Sequence, residues 1–208
     1  MIIAVDGPTA SGKGTIAKAL AAHYGLPHLD TGLLYRAVGW QVAQQGGSPG
    51  DPADALAGCD FPNAMLAEPR LRDEATGGLA SRVSVHPAVR EALYARQRAF
   101  ALQPGGAVLD GRDIGTVIAP EAEVKLFVTA SVAARAERRW REMQEAGAPT
   151  TLDQIADDLR RRDQRDRERA AAPLTAAADA VVIDTSALGR EAAIAAAIEA
   201  VERIRHTG

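Results

Sequence analysis

The sequence predicts an α/β domain built on a mainly parallel five-stranded sheet flanked by helices, and three features point to it. Short apolar runs recur along the chain, segments of helical period lie between them, and a glycine-rich turn follows the first run. Strands that alternate with helices build parallel sheets, because each crossover needs a helix to return the chain. With 208 residues, 47% of them hydrophobic, the chain can fill one substantial core with at most a small inserted subdomain.

The first run, IIAVD, ends at Asp6 and is continuous rather than alternating, which suits a strand covered on both faces. A helix is expected over Lys13–Tyr24, a short strand PHLD over 27–30, and a second helix over 33–44. From 46 to 78 Gly and Pro break the rhythm, and Pro62 and Pro69 interrupt any β alternation, so this stretch reads as an insertion or loop region. A helix over 87–102 leads to the strand AVLD, which ends at Asp110, and VKLFV forms a further strand ending at Val128. Helices over 132–144 and 152–170, the strand AVVID ending at Asp184, and an alanine-rich packing helix over 190–203 complete the pattern.

Lys and Arg number 24 against 27 Asp and Glu, a net charge of -3. No broad basic surface follows, so nucleic acid and anionic membrane are not expected partners, and any bound anion must meet a local cluster. Cys59 is the only cysteine, which excludes an internal disulfide and a cysteine-based zinc site, and the four histidines lack metal-ligand spacing. The opening MIIAV is too short for a signal segment, and no apolar run approaches the ~20 residues of a membrane span. A cytoplasmic location is expected.

Between the first strand and first helix stands GPTASGKGT, with Gly7, Pro8, Thr9, Ala10, Ser11, Gly12, Lys13, Gly14 and Thr15. Glycines at this spacing let backbone N–H groups turn inward as a cradle, the helix N-terminus adds positive potential, and Lys13 reaches the β- and γ-phosphates of a nucleoside triphosphate. This is the P-loop pattern. Gly14 stands where a magnesium-contacting hydroxyl is usual, and Thr15 offers the hydroxyl one residue later.

Two further stretches leave predicted strand ends, where open α/β sheets bind ligands. In DTGLLYR, Thr31 is placed to cap a helix carrying Tyr35 and Arg36; Arg36 faces either an acceptor phosphate or solvent. In LDGRDIGT, Arg112 and Asp113 sit in a glycine-bounded turn, as a ligand site or as a loop salt bridge, and Asp110 is a candidate for the magnesium shell. Lastly, RRRDQRDRER puts six arginines into residues 160–169. Guanidinium forks suit phosphate, while solvated ion pairs are the alternative.

In this order GPTASGKGT, DTGLLYR, SRVSVHPAVREALYARQR, LDGRDIGT and RRDQRDRERAAAPLTAAADAVVIDTS resemble the bacterial cytidylate kinase family of nucleoside monophosphate kinases over nearly the whole chain. The resemblance implies a P-loop NTPase core, an acceptor-binding region over 46–90 and a helical lid over 147–173. It implies ATP as co-substrate with bound Mg2+, and CMP or dCMP as acceptor. Arg36, Arg112 and Arg169 would hold the CMP phosphate, Ser81, Arg90 and Asp113 would read the base, and Arg162 and Asp166 would contact the sugar, with Thr31 also on the acceptor side. Lys13, Arg162 and Arg169 would be catalytic. Cytosine presents an amino donor beside ring acceptors, which a carboxylate at Asp113 and a guanidinium at Arg90 can satisfy together. The stretch 46–78 is shorter than the family's insertion, which carries extra strands.

On a helix Arg162, Asp166 and Arg169 share one face, with Arg165 beside it. Asp163 and Asp166 would brace neighbouring guanidiniums in the absence of nucleotide, and Arg160, Arg161 and Arg167 would point elsewhere, some reaching ATP and others solvated. Pro173 and Leu174 would end the lid helix. A lid within one chain needs no second subunit, so a monomer is expected. The alternatives are a P-loop kinase for UMP, AMP or shikimate, and a nucleotide-binding switch of low turnover.

Overall fold

The computed structural model describes residues 1–145, 147 and 149–207. Its sheet holds five parallel strands in the order β2-β3-β1-β4-β5: β1 Ile2–Asp6, β2 His28–Asp30, β3 Ala107–Gly111, β4 Val124–Thr129 and β5 Val181–Asp184. β1 lies at the centre, and the order reverses beside it, so the crevice at its carboxyl end is the switch point where ligands bind.

Both faces of the central strands β1, β3 and β4 are covered, which explains their continuous apolar runs. Successive side chains of a strand point to opposite faces. Ile3 and Val5 accordingly join Ile16 and Leu20 of α1 (Lys13–Tyr24) and Val201 of α8 (Arg190–Thr207), whereas Ala4, between them, joins Leu109, Ile114 and Ala101 on the other side. All three β1 residues are fully buried.

Two smaller apolar clusters stand apart from the sheet. One unites Leu34 and Val38 of α2 (Thr31–Gln44), Val83 of α4 (Glu74–Val83), Val89 and Leu93 of α5 (Pro87–Ala101), and Leu71. The other joins Ala136 of α6 (Val132–Glu145) to Ile155, Ala156 and Leu159 of α7 (Leu152–Glu168). The α6–α7 hairpin thus has a core of its own.

The stretch 46–78 is helical rather than loop. It contains α3 (Pro52–Ala57), 3-10 turns over Asn63–Ala67 and Pro69–Arg72, and the start of α4, with no strand among its residues. Proline opens two of these elements: Pro52 starts α3 and Pro69 the second 3-10 turn, with the Asp51 and Glu68 side chains accepting backbone N–H groups at the start. α4 escaped the sequence reading because Gly77 and Gly78 lower its intrinsic propensity. Close packing sustains it instead, since a Cβ on Gly39 of α2 would stand 2.7 Å from the Leu79 Cβ.

Two boundaries correct the expectations. α7 ends at Glu168 rather than 170, because Arg169 adopts an extended backbone with ψ 136°. Arg169 therefore leaves the helix and does not share a helical face with Arg162 and Asp166. α2 begins at Thr31 itself, with Asp30 at the N-cap and no side-chain cap bond, so Thr31 is not the cap. Ala148, within the expected lid stretch, lies outside the described residues. Among the described residues no helix is long and apolar enough to cross a membrane.

Candidate active site

The turn between β1 and α1 is a backbone cradle set by glycine geometry. Gly7 has φ 155°, and a Cβ there would lie 2.0 Å from the Val128 carbonyl oxygen, so only glycine fits. Gly12, at φ 90°, opens α1 and turns its N-terminus to the crevice. Lys13 Nζ donates to the Pro8 carbonyl at 3.2 Å, folding the side chain back over the loop. Burial, and then the Arg112 charge nearby, lowers the Lys13 pKa. A Cβ on Gly14 would stand 3.6 Å from Asp110 Oδ2, while Thr15 is exposed.

Acidic groups line the adjoining strand ends. His28 Nε2 and Asp110 Oδ1 share a 2.7 Å hydrogen bond, and the Thr31 hydroxyl donates to the Asp110 carbonyl at 2.8 Å. Thr31 thus ties α2 to β3. Asp30 is pushed up by burial and by the charge of Asp110.

The turn after β3 is held by Asp6, whose two carboxylate oxygens accept the N–H groups of Ile114 and Gly115, each at 2.8 Å. Burial pushes the Asp6 carboxyl up to about 7 although both bonds oppose the shift. Sequence reading missed this role; its only signal is an acid at the last position of β1, directly before Gly7.

That turn reaches in two directions. Arg112 Nη2 donates to Thr9 Oγ1 of the phosphate loop at 2.6 Å, and its Nε donates to Asp166 on α7. Burial alone would lower the Arg112 pKa, but Asp166 outweighs it and the pKa rises. Asp113 pairs with Arg90 of α5, whose guanidinium lies 5.7 Å from the Tyr35 ring centroid. Arg169 Nη2 stands 3.7 Å from the other Asp113 oxygen and lacks a hydrogen-bond partner, while its Nε donates to the Ala172 carbonyl at 2.6 Å. Burial and then Arg90 lower the Arg169 pKa.

α7 meets α4 across the crevice. Arg165 Nε donates to Ser81 Oγ at 3.0 Å. Arg162, 4% exposed at its side chain, pairs with Glu74 and brings Nε to 2.7 Å from Asp158, without hydrogen-bond alignment in the second contact. Arg36 Nη1 donates to the carbonyls of Leu71 and Asp73 at 2.7 and 2.9 Å, and burial lowers its pKa.

The guanidiniums braced by Asp163 and Asp166 come from elsewhere in the chain, not from neighbouring arginines on the helix. Asp166 holds Arg112, and Asp163 takes both Arg135 Nη atoms, at 3.0 and 2.5 Å. Arg135, on α6 and 2% exposed, also donates to the carbonyls of Thr9 and Ala130 at 3.1 and 2.9 Å, and was not foreseen. Arg160, Arg161 and Arg167 are all exposed and outside the cleft; the first two pair with Asp157 and Asp158 on their own helix, so none reaches the phosphate loop.

The resulting cleft encloses about 710 Å³. Every expected binding residue lines it except Gly7 and Pro8, which shape the loop from behind. It is also lined by Arg138, Arg139, Arg141 and Gly189, none of which was among the sequence expectations. For the three arginines, the arginine density of ARAERRWRE on α6 was the available signal. One side of the cleft offers backbone N–H groups and an ammonium, the opposite side guanidiniums, and the carboxyl-edge turn a paired carboxylate and guanidinium. Such a chamber can align two phosphate groups from two molecules.

A family model described as cytidylate kinase matches residues 3–203. The chain is 53% identical over 205 residues to a protein named cytidylate kinase from Caulobacter sp. (strain K31), covering 98% of this chain and 95% of that one. It is 56% identical over 200 residues to one of the same name from Cereibacter sphaeroides, covering 96% and 94%. With that of Xanthobacter autotrophicus the identity is 55% over 205 residues, and 99% of each chain is covered. A solved structure of an uncharacterized protein from Eubacterium ventriosum superimposes with a TM-score of 0.54 at 14% identity, covering 99% of this chain and 98% of that one, a likeness of fold alone.

Proposed function

The chain belongs to the cytidylate kinase family, and from that we propose that the cleft between the phosphate loop and α7 is its phosphoryl-transfer site. The protein is an ATP-dependent (d)CMP kinase: it transfers the γ-phosphoryl group of ATP to CMP or dCMP, giving ADP and CDP or dCDP. The observation that carries the assignment of the site is the turn after β3. Arg112 there touches the phosphate loop at Thr9 and α7 at Asp166, while Asp113 beside it pairs with Arg90.

In this reading residues 7–15 cradle the ATP phosphates, Lys13 reaching the γ-phosphoryl group. Arg36, Arg112 and Arg169 receive the acceptor phosphate, and Arg162 and Asp166 face the sugar. Arg90 and Asp113 turn their hydrogen-bonding edges to cytosine, with Ser81 nearby; a uracil carbonyl would meet Asp113 with acceptor against acceptor. Residues 46–90 form the acceptor region and 147–173 the lid.

The reaction then needs little covalent help from the protein. An oxygen of the CMP phosphate attacks the γ-phosphorus in line, and the bond to the β–γ bridging oxygen breaks as ADP leaves, with no enzyme-bound intermediate. Lys13, Arg162 and Arg169 offset the charge of the group in flight. Asp30 and Asp110 fit a cation beside the loop: burial and then the charge of Asp110 raise Asp30, and a cation there would offset both. Mg2+ bound with ATP supplies further positive charge to the phosphates. Arginines on α6 and α7 exclude water that would otherwise hydrolyse ATP.

Initial rates of ADP formation with ATP and Mg2+ against CMP, dCMP, UMP, AMP and no acceptor test the reading. CMP and dCMP should lead, with a low rate when acceptor is omitted. A lead by UMP or AMP would remove base reading from Asp113 and Arg90, and a rate indifferent to acceptor would restore the switch.

A further inference from the structure

Glu74 opens α4, and its carboxylate lies in the cleft against Arg162, which the proposed function turns to the sugar and the group in flight, and near Arg36, which it assigns to the acceptor phosphate. Three guanidiniums converge on it. Arg162 Nη2 donates to one of its oxygens, and Arg139 Nε donates to the other at 2.8 Å with Nη2 beside it. Arg36 is the third: a Cβ built on Gly77 would lie 2.9 Å from Arg36 Nη2 and 3.0 Å from Arg162 Nη1, so both flank one glycine a single turn from Glu74. Burial opposes ionisation of Glu74, but Arg162 and then Arg139 outweigh it and hold the carboxyl below its usual range. It stays an anion across the physiological range.

The contact spans separate elements. Glu74 belongs to α4, Arg139 to α6 and Arg162 to α7, so one carboxylate joins the acceptor region to both helices of the hairpin. A solvated ion pair would not need this geometry, and Arg162 is nearly inaccessible at 4% exposure. Carboxylate and phosphate make the same demand on a guanidinium fork: two oxygens, negative charge, planar approach. Nothing in the arginines distinguishes an internal carboxylate from an incoming phosphate except charge and reach.

We propose that Glu74 is an internal counter-anion of the acceptor site in the free protein, and that the phosphate of an acceptor, entering beside Arg36, displaces it from Arg162 and frees that guanidinium for the transfer. Glu74 is thereby an affinity-setting residue of the acceptor site. The proposal rests on the reading of that site given above. It explains how Arg36, Arg139 and Arg162, on three helices, crowd one part of the cleft without nucleotide, where like charges would otherwise force them apart. It also confers selectivity for the charge of the acceptor, because a nucleoside without its phosphate has no anion to exchange for the carboxylate.

The exchange has a measurable size. If the contact is closed in about 70–90% of free molecules, apparent acceptor affinity is lowered by the remaining competent fraction, about three- to tenfold. The test is titration calorimetry of CMP and of cytidine, without ATP, on the unaltered protein and on Glu74→Gln, which keeps shape and loses charge. CMP should bind the variant about three- to tenfold more tightly, with cytidine affinity the same in both proteins. Unchanged or weaker CMP binding overturns the proposal, as does an equal gain for cytidine, which would mark general loosening of the cleft. Should Glu74→Gln not fold, Glu74→Asp retracts the carboxylate by one methylene and is expected to shift CMP in the same direction. If the unaltered protein binds CMP no better than AMP, it is the assignment of the acceptor site that fails, and the variant is not needed to see it.

Discussion

The two walls of the cleft both face phosphate and are built on opposite principles. The loop 7–13 is backbone, held by torsion angles that only glycine tolerates at Gly7 and by the strand and helix at its ends. The facing wall is side chains: Arg112 and Arg162 each hold a carboxylate from another element, Asp166 and Glu74, and behind that wall Arg135 holds Asp163. A cradle of N–H groups needs no partner before its ligand arrives, because water satisfies it. Buried guanidiniums cannot wait unpaired, since a desolvated charge costs several kcal/mol, about 3–5 when a partner is removed. One wall is therefore fixed and the other must exchange partners.

The largest effect should come from breaking the fixed wall at its one charge. Lys13→Ala should lower kcat by about 1,000-fold with the melting temperature little changed, because its loss removes charge stabilisation of the transferring group and leaves the glycine geometry intact. Retained turnover in initial-rate assays would show that the loop is not where the γ-phosphate lies.

Breaking the permanent pair behind the second wall should cost stability instead. Asp163→Ala leaves Arg135 buried and unpaired beside Thr9, and denaturant unfolding should show a loss of about 3–5 kcal/mol. A loss below about 1 kcal/mol would place the pair among surface bridges.

Between the walls, Asp6 should leave a mark on stability against pH. Its carboxyl is raised from 3.8 to about 7 in the folded chain, so the folded state binds the extra proton between those values. The Asp6 contribution is present below about pH 4 and lost as pH rises to 7. Melts of Asp6→Asn against pH should lack that component of the slope; parallel curves for the two proteins would contradict it.

Base reading is the finer test. Asp113→Asn should erode the preference for CMP over UMP by about 10- to 100-fold in kcat/KM, the scale of one lost polar pairing with a base edge. An unchanged ratio would move base reading away from the Arg90 pair. Smallest of all, Arg160→Gln removes an exposed ion pair with Asp157, and its effect should stay within about 0.5 kcal/mol. A large effect would return that arginine to the working wall.

These contrasts also explain what the sequence made legible. Four of the five strands showed as apolar runs, and at the centre of the sheet the reason is cover on both faces, as the opposite burial of Ala4 and its neighbours in β1 demonstrates. The phosphate loop was readable because its parts are contiguous. The second wall was readable only as residues, Arg112, Arg162 and Arg169 among them, and not as pairs. Glu74 meets Arg162 from 88 positions away, and Asp6 meets Ile114 from 108, separations that leave no local pattern. The extended backbone at Arg169 was likewise hidden behind an unbroken polar run, and α4 behind its two glycines.

A crystal structure with CMP and a non-hydrolysable ATP analogue measures the contrast most directly. The account predicts that the backbone of residues 7–13 superposes on its free form within about 1 Å, while Arg162 leaves Glu74 for phosphate and Arg135 keeps Asp163. A rebuilt loop, or an Arg162 still bound to Glu74 with CMP seated, would contradict it.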